Sequence, residues 1–251
     1  MKYFSTHGEY RRRPHNDWIV RLLKKAVRVF SRPMRVKRRA EEGDEPVLYI
    51  ANHAGARGPY SMIVFFDRRV RPWVISNVCF VKTCAEFARR DFFPTDNKLL
   101  KPFQYLLSWL IAPLCPLLFS GVEAIPSYFD KRIIYTLEKT TETLNEGISV
   151  LIFPEERKYF SPYIESFQSG FAIVPRNYYK KTGKRLRIVP VYVSRHDNAI
   201  HVGEGTLFNP KADFEEEKKR LADYTRDEIE RMAEEIPGEP ARYTEKQYQS
   251  R

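Results

Sequence analysis

Two stretches of this chain are notable for the side chains they lack. Residues 54–66, directly after Asn52-His53, contain no Asp or Glu, so no carboxylate in the following turn orients that histidine. Residues 102–122 contain no charged side chain of either sign. Cysteine is scarce as well. Cys79, Cys84 and Cys115 are an odd set with no CxxC pair. That excludes a disulfide framework or a zinc-type ligand spacing, and reads as reduced, buried thiols in a cytosolic setting. No metal site is expected. The opening residues MKYFSTHGEYRRRPH lack the apolar run of a secretory signal, so no export is expected. There is no internal repeat or low-complexity tract. A hydrophobic fraction of 43% over 251 residues is enough to bury a full core.

The positive charge is confined to one end. Of 43 Lys and Arg and 32 Asp and Glu, residues 1–39 hold 13 and two, which leaves 30 of each sign in the remainder. The whole excess of +11 therefore sits on an N-terminal arm. Such asymmetry points to a polyanionic partner, either an anionic membrane surface or nucleic acid. Within the arm, DWIVRLLKKAVRVFSR begins on Asp17, a good N-cap. Trp18, Ile19, Leu22, Leu23, Ala26, Val29 and Phe30 follow at helical spacing, with Arg21, Lys24, Lys25 and Arg28 mostly opposite. A basic amphipathic helix of this kind either lies in a membrane interface or docks its apolar face on the body. The run SRPMRVKRRAEEGDEP reads as a basic, then acidic linker. Its Arg32, Arg35, Lys37, Arg38 and Arg39 would each contribute roughly 1 kcal/mol near an anionic leaflet.

The uncharged stretch PFQYLLSWLIAPLCPLLFSGV is nearly long enough to span a bilayer, but Pro113 and Pro116 interrupt it. The expectation is a helix from about Phe103 to Ala112, followed by an extended PLCPLLF. That helix either dips into one leaflet or packs on the body. Elsewhere strands and helices alternate. Strands are expected at 46–51, 73–76, 149–153, 186–194 and 199–205. Helices are expected at 59–66, 130–146 (ending at Gly147), 171–179 and 213–236, the last with Thr225 and Glu228 as a capping box. The fold class is α/β: a single layered domain with a central mixed sheet flanked by helices, plus a basic amphipathic N-terminal helix. The expected divisions are a basic arm and linker over 1–44, an α/β domain over 45–210 and a charged helical tail over 211–251.

Two strand ends carry the chemistry. His53 follows the first strand in a turn that contains Gly55 and Gly58. The all-apolar SVLIF ends in Pro154-Glu155-Glu156-Arg157-Lys158. Ligands of open α/β sheets collect at the carboxyl ends of strands. A neutral-pH base beside cations suited to phosphate fits transfer to or from a hydroxyl on a phosphorylated molecule.

The blocks IANHAGARG, GVEAIPS, LIFPEERKYF followed by FQSG, and RIVPVYVS stand in this order over residues 45–205. Together they resemble the four blocks of the glycerolipid acyltransferase family, the lysophosphatidate (1-acylglycerol-3-phosphate) acyltransferase-like enzymes of phospholipid biosynthesis. The resemblance implies a transferase that moves a fatty acyl group to a hydroxyl of a lysophospholipid or related lipid acceptor. The donor would be an acyl thioester, either acyl-CoA or acyl-carrier protein, with no cofactor. His53 would be the general base in a turn built from Asn52 and Gly58. Gly121, Lys131, Arg132, Glu155, Arg157 and Lys158 would hold the acceptor and its phosphate. Phe153, Pro154, Gly170 and Pro190 would shape the pocket. The expected location is the cytoplasmic face of a membrane, peripheral or monotopic, with an anionic membrane surface as partner.

The sequence departs from that pattern. Gly58 stands where the family's first block has its Asp, five residues after the histidine. Pro126-Ser127 replaces the expected arginine of the second block, and Glu156-Arg157-Lys158-Tyr159 follows Phe-Pro-Glu in the third. Such changes fit a divergent branch with another acceptor, or a non-catalytic membrane-binding relative. Arg57 beside His53 would favour the neutral imidazole, or would simply be a solvated turn residue. Of the two carboxylates that would replace the missing one, Glu155 is expected at an adjacent strand end, and Asp67 lies too far along the first helix. His7, His15, His196 and His201 read as surface or loop histidines. No nucleic-acid-binding motif supports the basic arm as a nucleic-acid reader, so none is expected as partner.

Overall fold

The computed structural model describes residues 18–54, 57–92, 97–154 and 168–238. In chain order the elements are α1 (Trp18–Phe30), β1 (Arg35–Arg38), β2 (Val47–Ala51), α2 (Arg57–Val64), β3 (Val70–Ile75), α3 (Val81–Phe87), α4 (Lys101–Ile111), α5 (Leu114–Gly121), β4 (Ile125–Ser127), α6 (Ile133–Asn145), β5 (Ser149–Ile152), α7 (Ile173–Thr182), β6 (Arg187–Val193), β7 (Ala199–Val202), β8 (Thr206–Leu207) and α8 (Phe214–Glu234). They fall into two compact units, residues 1–26 with 71–139 and residues 27–70 with 140–251. The α/β class, the mixed sheet flanked by helices and the N-terminal helix are all present.

The second unit contains a sheet in the order β1-β7-β6-β2-β5, with β8 paired to β6. β2 runs parallel to both β5 and β6, and β6 runs antiparallel to β7. Alternation along the strands supplies two cores. Val47, Tyr49, Ala51, Val189, Val191 and Val193 pack with Met62 and Phe66 on one face. Tyr192 packs with Ile229, Met232 and Ile236 at α8 on the other. β2 and β5 are buried at every position, as expected for strands covered on both sides. Pro190 is tolerated inside β6 because its carbonyl accepts from Gly203 N (2.8 Å), in the break between β7 and β8. Its missing N–H therefore falls where the partner strand is interrupted. α6 stops at Gly147, whose φ of 76° is the left-handed cap expected there.

Three sequence expectations fail. The stretch around RVKR is not a linker but β1, in parallel register with β7 from Arg35↔Ala199 to Arg38↔Val202. Its cations are held by acids: Lys37 by Asp197 (2.7 Å), Arg38 by Asp67 (3.0 Å) and Glu42, and Arg39 by Glu235. The Arg38 bond holds the Asp67 carboxyl below its ordinary range. PLCPLLF is helical. Pro113 precedes α5 and Pro116 lies in its first turn, where a backbone N–H has no intrahelical acceptor to lose. Thr225 and Glu228 form no capping box, because α8 has already started at Asp213, whose carboxylate accepts from Glu215 N and Glu216 N. Thr225 lies mid-helix and donates back to Leu221 O, and buried Glu228 pairs with Arg231.

In the first unit, β3 and β4 pair in parallel from Trp73↔Ile125 to Ile75↔Ser127. A core of Val78, Cys84, Ala85, Phe87 and Ala112 lies among α3, α4 and α5. Arg71 and Glu123 form a buried ion pair at 2.9 Å. All three cysteines are free thiols, and burial pushes the Cys79 thiol up to about 12.

Candidate active site

Register places the two predicted strand ends side by side. Ile50 of β2 is level with Ile152 of β5, so Asn52-His53 and Phe153-Pro154 leave the sheet at the same edge. The His53 and Phe153 rings meet edge to face, with centroids 5.4 Å apart and planes at 70°. His53 is half-buried.

Asn52 explains how the turn is held. It is buried, and its backbone N donates to Val191 O at 3.3 Å. Its side-chain amide then acts as one more rung of the ladder. Oδ1 accepts from Val193 N at 2.6 Å and Nδ2 donates to Val193 O at 3.3 Å. Asparagine thus extends β2's pairing with β6 beyond the strand and fixes the backbone that carries His53.

Gly58 closes the other side. Its N–H donates to His53 O at 3.0 Å. A Cβ at position 58 would lie 2.3 Å from Asn52 O and 2.6 Å from His53 O. Glycine is thus demanded by close approach of backbone to backbone, not by a left-handed φ. In this turn, no Asp fits at the family position unless the chain around the base moves.

Arg57 is not a solvated turn residue. Its Nη2 reaches Asn198 Oδ1 (2.7 Å) and Ser194 O (3.3 Å). Asn198 donates in turn to Pro33 O at 2.8 Å. Arg195 crosses the other way, with Nη2 3.0 Å from Ala54 O. Two guanidinium groups therefore stitch Ala54 and Arg57 to the loop between β6 and β7. Sequence reading missed Arg195 and Asn198. His201 is not a partnerless loop histidine, since its Nε2 lies 2.9 Å from Asp197 Oδ2.

The remaining candidates divide. Pro190 is buried in β6 and paired with Ile50. Pro154 O accepts from Gln168 N (2.9 Å), and Gly170 sits exposed just beyond, with open space around its α-carbon. In the other unit, Gly121 is buried at the end of α5 and Lys131 is exposed. Arg132 is committed: it grips Asp130 at 2.7–3.0 Å and lies 4.5 Å over the Tyr128 ring. Glu155, Arg157 and Lys158, and likewise His7 and His15, lie outside the described residues.

Two helices are inverted relative to ordinary surface helices, which bury their apolar stripe. The buried side of α4 includes Gln104, bonded to Arg89 O (2.9 Å), and Ser108, which accepts from Arg89 Nη1 (3.1 Å). Its exposed side carries Phe103, Leu106, Trp109 and Leu110. The whole Lys101–Gly121 stretch is long and apolar enough to cross a membrane by length and composition, with only 17% buried, but it is broken between α4 and α5. α1 turns Val20, Lys24 and Val27 inward and leaves Trp18, Leu22, Val29 and Phe30 exposed, the last by 90%.

Neither a family model nor a curated protein sequence matches the chain. Among solved structures, it is similar to the 1-acyl-sn-glycerophosphate (LPA) acyltransferase, PlsC, from Thermotoga maritima. The identity is 14%, over 82% of this chain and 73% of that one, with a TM-score of 0.44. At those values the likeness carries no residue's role.

Proposed function

We propose that this protein is a membrane-associated acyltransferase. It moves a fatty acyl group from an acyl thioester, acyl-CoA or acyl-carrier protein, to a hydroxyl of a lysophospholipid or related acceptor. The observation that carries the reading is His53 at the carboxyl end of a central strand, on backbone fixed by Asn52 and Gly58 and level with the Phe153-Pro154 strand end. A base on a rigid element suits general-base work, because proton transfer needs a fixed donor–acceptor distance.

The chemistry is acyl transfer. A ring nitrogen of His53 takes the proton of the acceptor hydroxyl as its oxygen bonds to the thioester carbon. The tetrahedral intermediate collapses by breaking the C–S bond. The sulfur leaves as thiolate and takes up the proton from the imidazolium. One ester is made and one thiol released.

Membrane association is supported by the inverted faces of α4 and α1. Exposed Trp, Phe and Leu beside exposed Arg21 and Lys25 suit an anionic interface. We place the protein on the cytoplasmic face, peripheral or monotopic. The competing reading is a non-catalytic membrane binder, favoured by Gly58, since the turn has no room for the carboxylate that triads use to support an imidazolium.

The deciding experiment follows thiol release from a panel of acyl thioesters, with purified protein, liposomes and lysophospholipid acceptors. Release that disappears in a folded His53→Ala protein supports the enzyme. Full retention in that variant overturns the mechanism. Vesicle binding with no release from any donor establishes the non-catalytic reading.

A further inference from the structure

We propose that Arg195 is an anion-binding residue of the His53 site and takes a phosphate group of a substrate. The proposal rests on the acyltransferase reading and names the chemistry that sits beside the base.

The first observation is position. Arg195 is the second residue past β6 and is exposed. Its Nη2 bonds to the carbonyl of Ala54, the residue after His53. Ala54 has a φ of 45°, so this carbonyl belongs to a strained turn that points it at the guanidinium. One donor of the fork locates the side chain, and the other N–H groups are available to a ligand.

The second observation is charge. Arg38, Arg39, Arg68, Arg132, Arg220 and Arg231 are each paired with a carboxylate. Among the described residues no carboxylate pairs with Arg195. The acid nearest in sequence, Asp197, is taken by Lys37 and His201. Arg57, next to Gly58, donates to the oxygens of Ser194 and Asn198. The half-buried Arg57 fixes the loop, and the exposed Arg195 faces the incoming molecule. A guanidinium anchored on a neutral carbonyl keeps its full charge, and its planar fork matches two phosphate oxygens.

A phosphate can come from the acceptor's glycerophosphate or from the nucleotide end of a coenzyme A thioester. The test compares the unmodified enzyme with Arg195→Gln, which keeps a donor for Ala54 O but removes the charge, and with Arg195→Lys. Each is assayed with a lysophosphatidate and with a monoacylglycerol as acceptor, and with acyl-CoA and acyl-pantetheine as donor. The expected result is a KM raised roughly 10- to 100-fold for the phosphate-bearing substrate alone, with kcat within a few-fold and partial rescue by lysine. Loss confined to lysophosphatidate assigns the site to the acceptor, and loss confined to acyl-CoA assigns it to the donor. Equal loss on every substrate overturns the proposal and leaves Arg195 as a latch of the turn. Calorimetric titration with glycerol 3-phosphate and with free coenzyme A separates this proposal from the reaction itself. Binding that weakens in Arg195→Gln retains the site even if no thiol is released. Equal binding by both proteins, or none by either, removes it.

Discussion

α8 and α4 bury opposite things. α8 is dense in charge, yet it seals Leu221, Ile229 and Met232 completely and pairs its outer charges at helical spacing, as in Lys218–Glu215 and Lys219–Asp223. α4 has one charged residue, Lys101, yet its buried side carries Ser108 and Gln104 on Arg89 while Trp109 and Leu110 face outward. Composition alone ranks α4 as the better core helix. The side that each helix buries says otherwise: α8 turns its charges to water, and α4 turns its apolar side chains outward, which suits the membrane surface proposed for it. The residues around His53 belong to the first kind of packing. Variants of the two regions should therefore separate chemistry and stability from membrane binding.

The largest separation is expected at His53. His53→Ala should lower thiol release by about 100- to 10,000-fold, the usual contribution of a general base, and leave vesicle binding unchanged. Steady-state rates and vesicle co-sedimentation on the same preparation check both. Parallel loss of both properties would abolish the distinction. Next comes the turn. Gly58→Asp must push Cβ into two carbonyl oxygens, and Asn52→Ala leaves a backbone rung of β6 unpaired. Each should cost about 1–3 kcal/mol, read as a fall in Tm of roughly 2–4 °C per kcal/mol. An unchanged Tm for Gly58→Asp would mean that the turn opens easily and that the missing carboxylate is a chemical choice.

That glycine also marks how far the sequence could be read. The strand ending in Asn52-His53, the buried strand before Phe153 and the helix stop at Gly147 were all legible, because run length, apolar continuity and cap chemistry are local signals. Gly58 was legible only as a missing Asp, since the carbonyls that exclude a side chain are brought to it by folding. Arg195 gave no signal at all, because its partner Ala54 is 141 residues away. β1 was misread because RVKR alternates no apolar residues and pairs with a strand far downstream. The two prolines near 113–116 argued against helix, and only their placement at the start of α5 makes them harmless.

Smaller effects are expected on the outward face of α4. Replacing Trp109 and Leu110 by Ser should leave the unfolding free energy within about 0.5 kcal/mol of the original, as for other exposed positions. Vesicle affinity should fall roughly 10- to 100-fold, from the transfer energy of two large side chains. Ser108→Leu should do the reverse: it destabilises the protein by crowding Arg89 and spares vesicle binding. Truncation of residues 1–30 preserves β1 and its ion pairs, and should remove the salt-sensitive part of binding to anionic vesicles, which is screened over about 8 Å at physiological ionic strength. Tight binding of that arm to duplex DNA in place of vesicles would transfer it to a nucleic-acid partner.

The smallest effect is a pH dependence in the loop beside the candidate site at His53. Burial pushes the Asp197 carboxyl up, but Lys37, Ser194 and His201 more than offset it and hold the group below its ordinary 3.8. A carboxyl whose folded pKa lies below its unfolded value stabilises the protein above the unfolded pKa, and that contribution is lost as pH falls through the folded one. Asp197→Asn should therefore destabilise the protein slightly at pH 7, by an amount typical of partly exposed ion pairs, about 0–1 kcal/mol, and lower Tm accordingly. Because the carboxylate is protonated in both states at low pH, the gap between variant and parent should narrow as pH drops from 5 toward 3. Melting curves of both proteins across that range decide it. A gap that stays constant to pH 3 would mean that Asp197 acts through packing and hydrogen bonds rather than charge. Vesicle binding should not change at any pH in the series, because the loop from Ser194 to Asn198 belongs to the water-facing kind of packing, not to the inverted faces of α4 and α1.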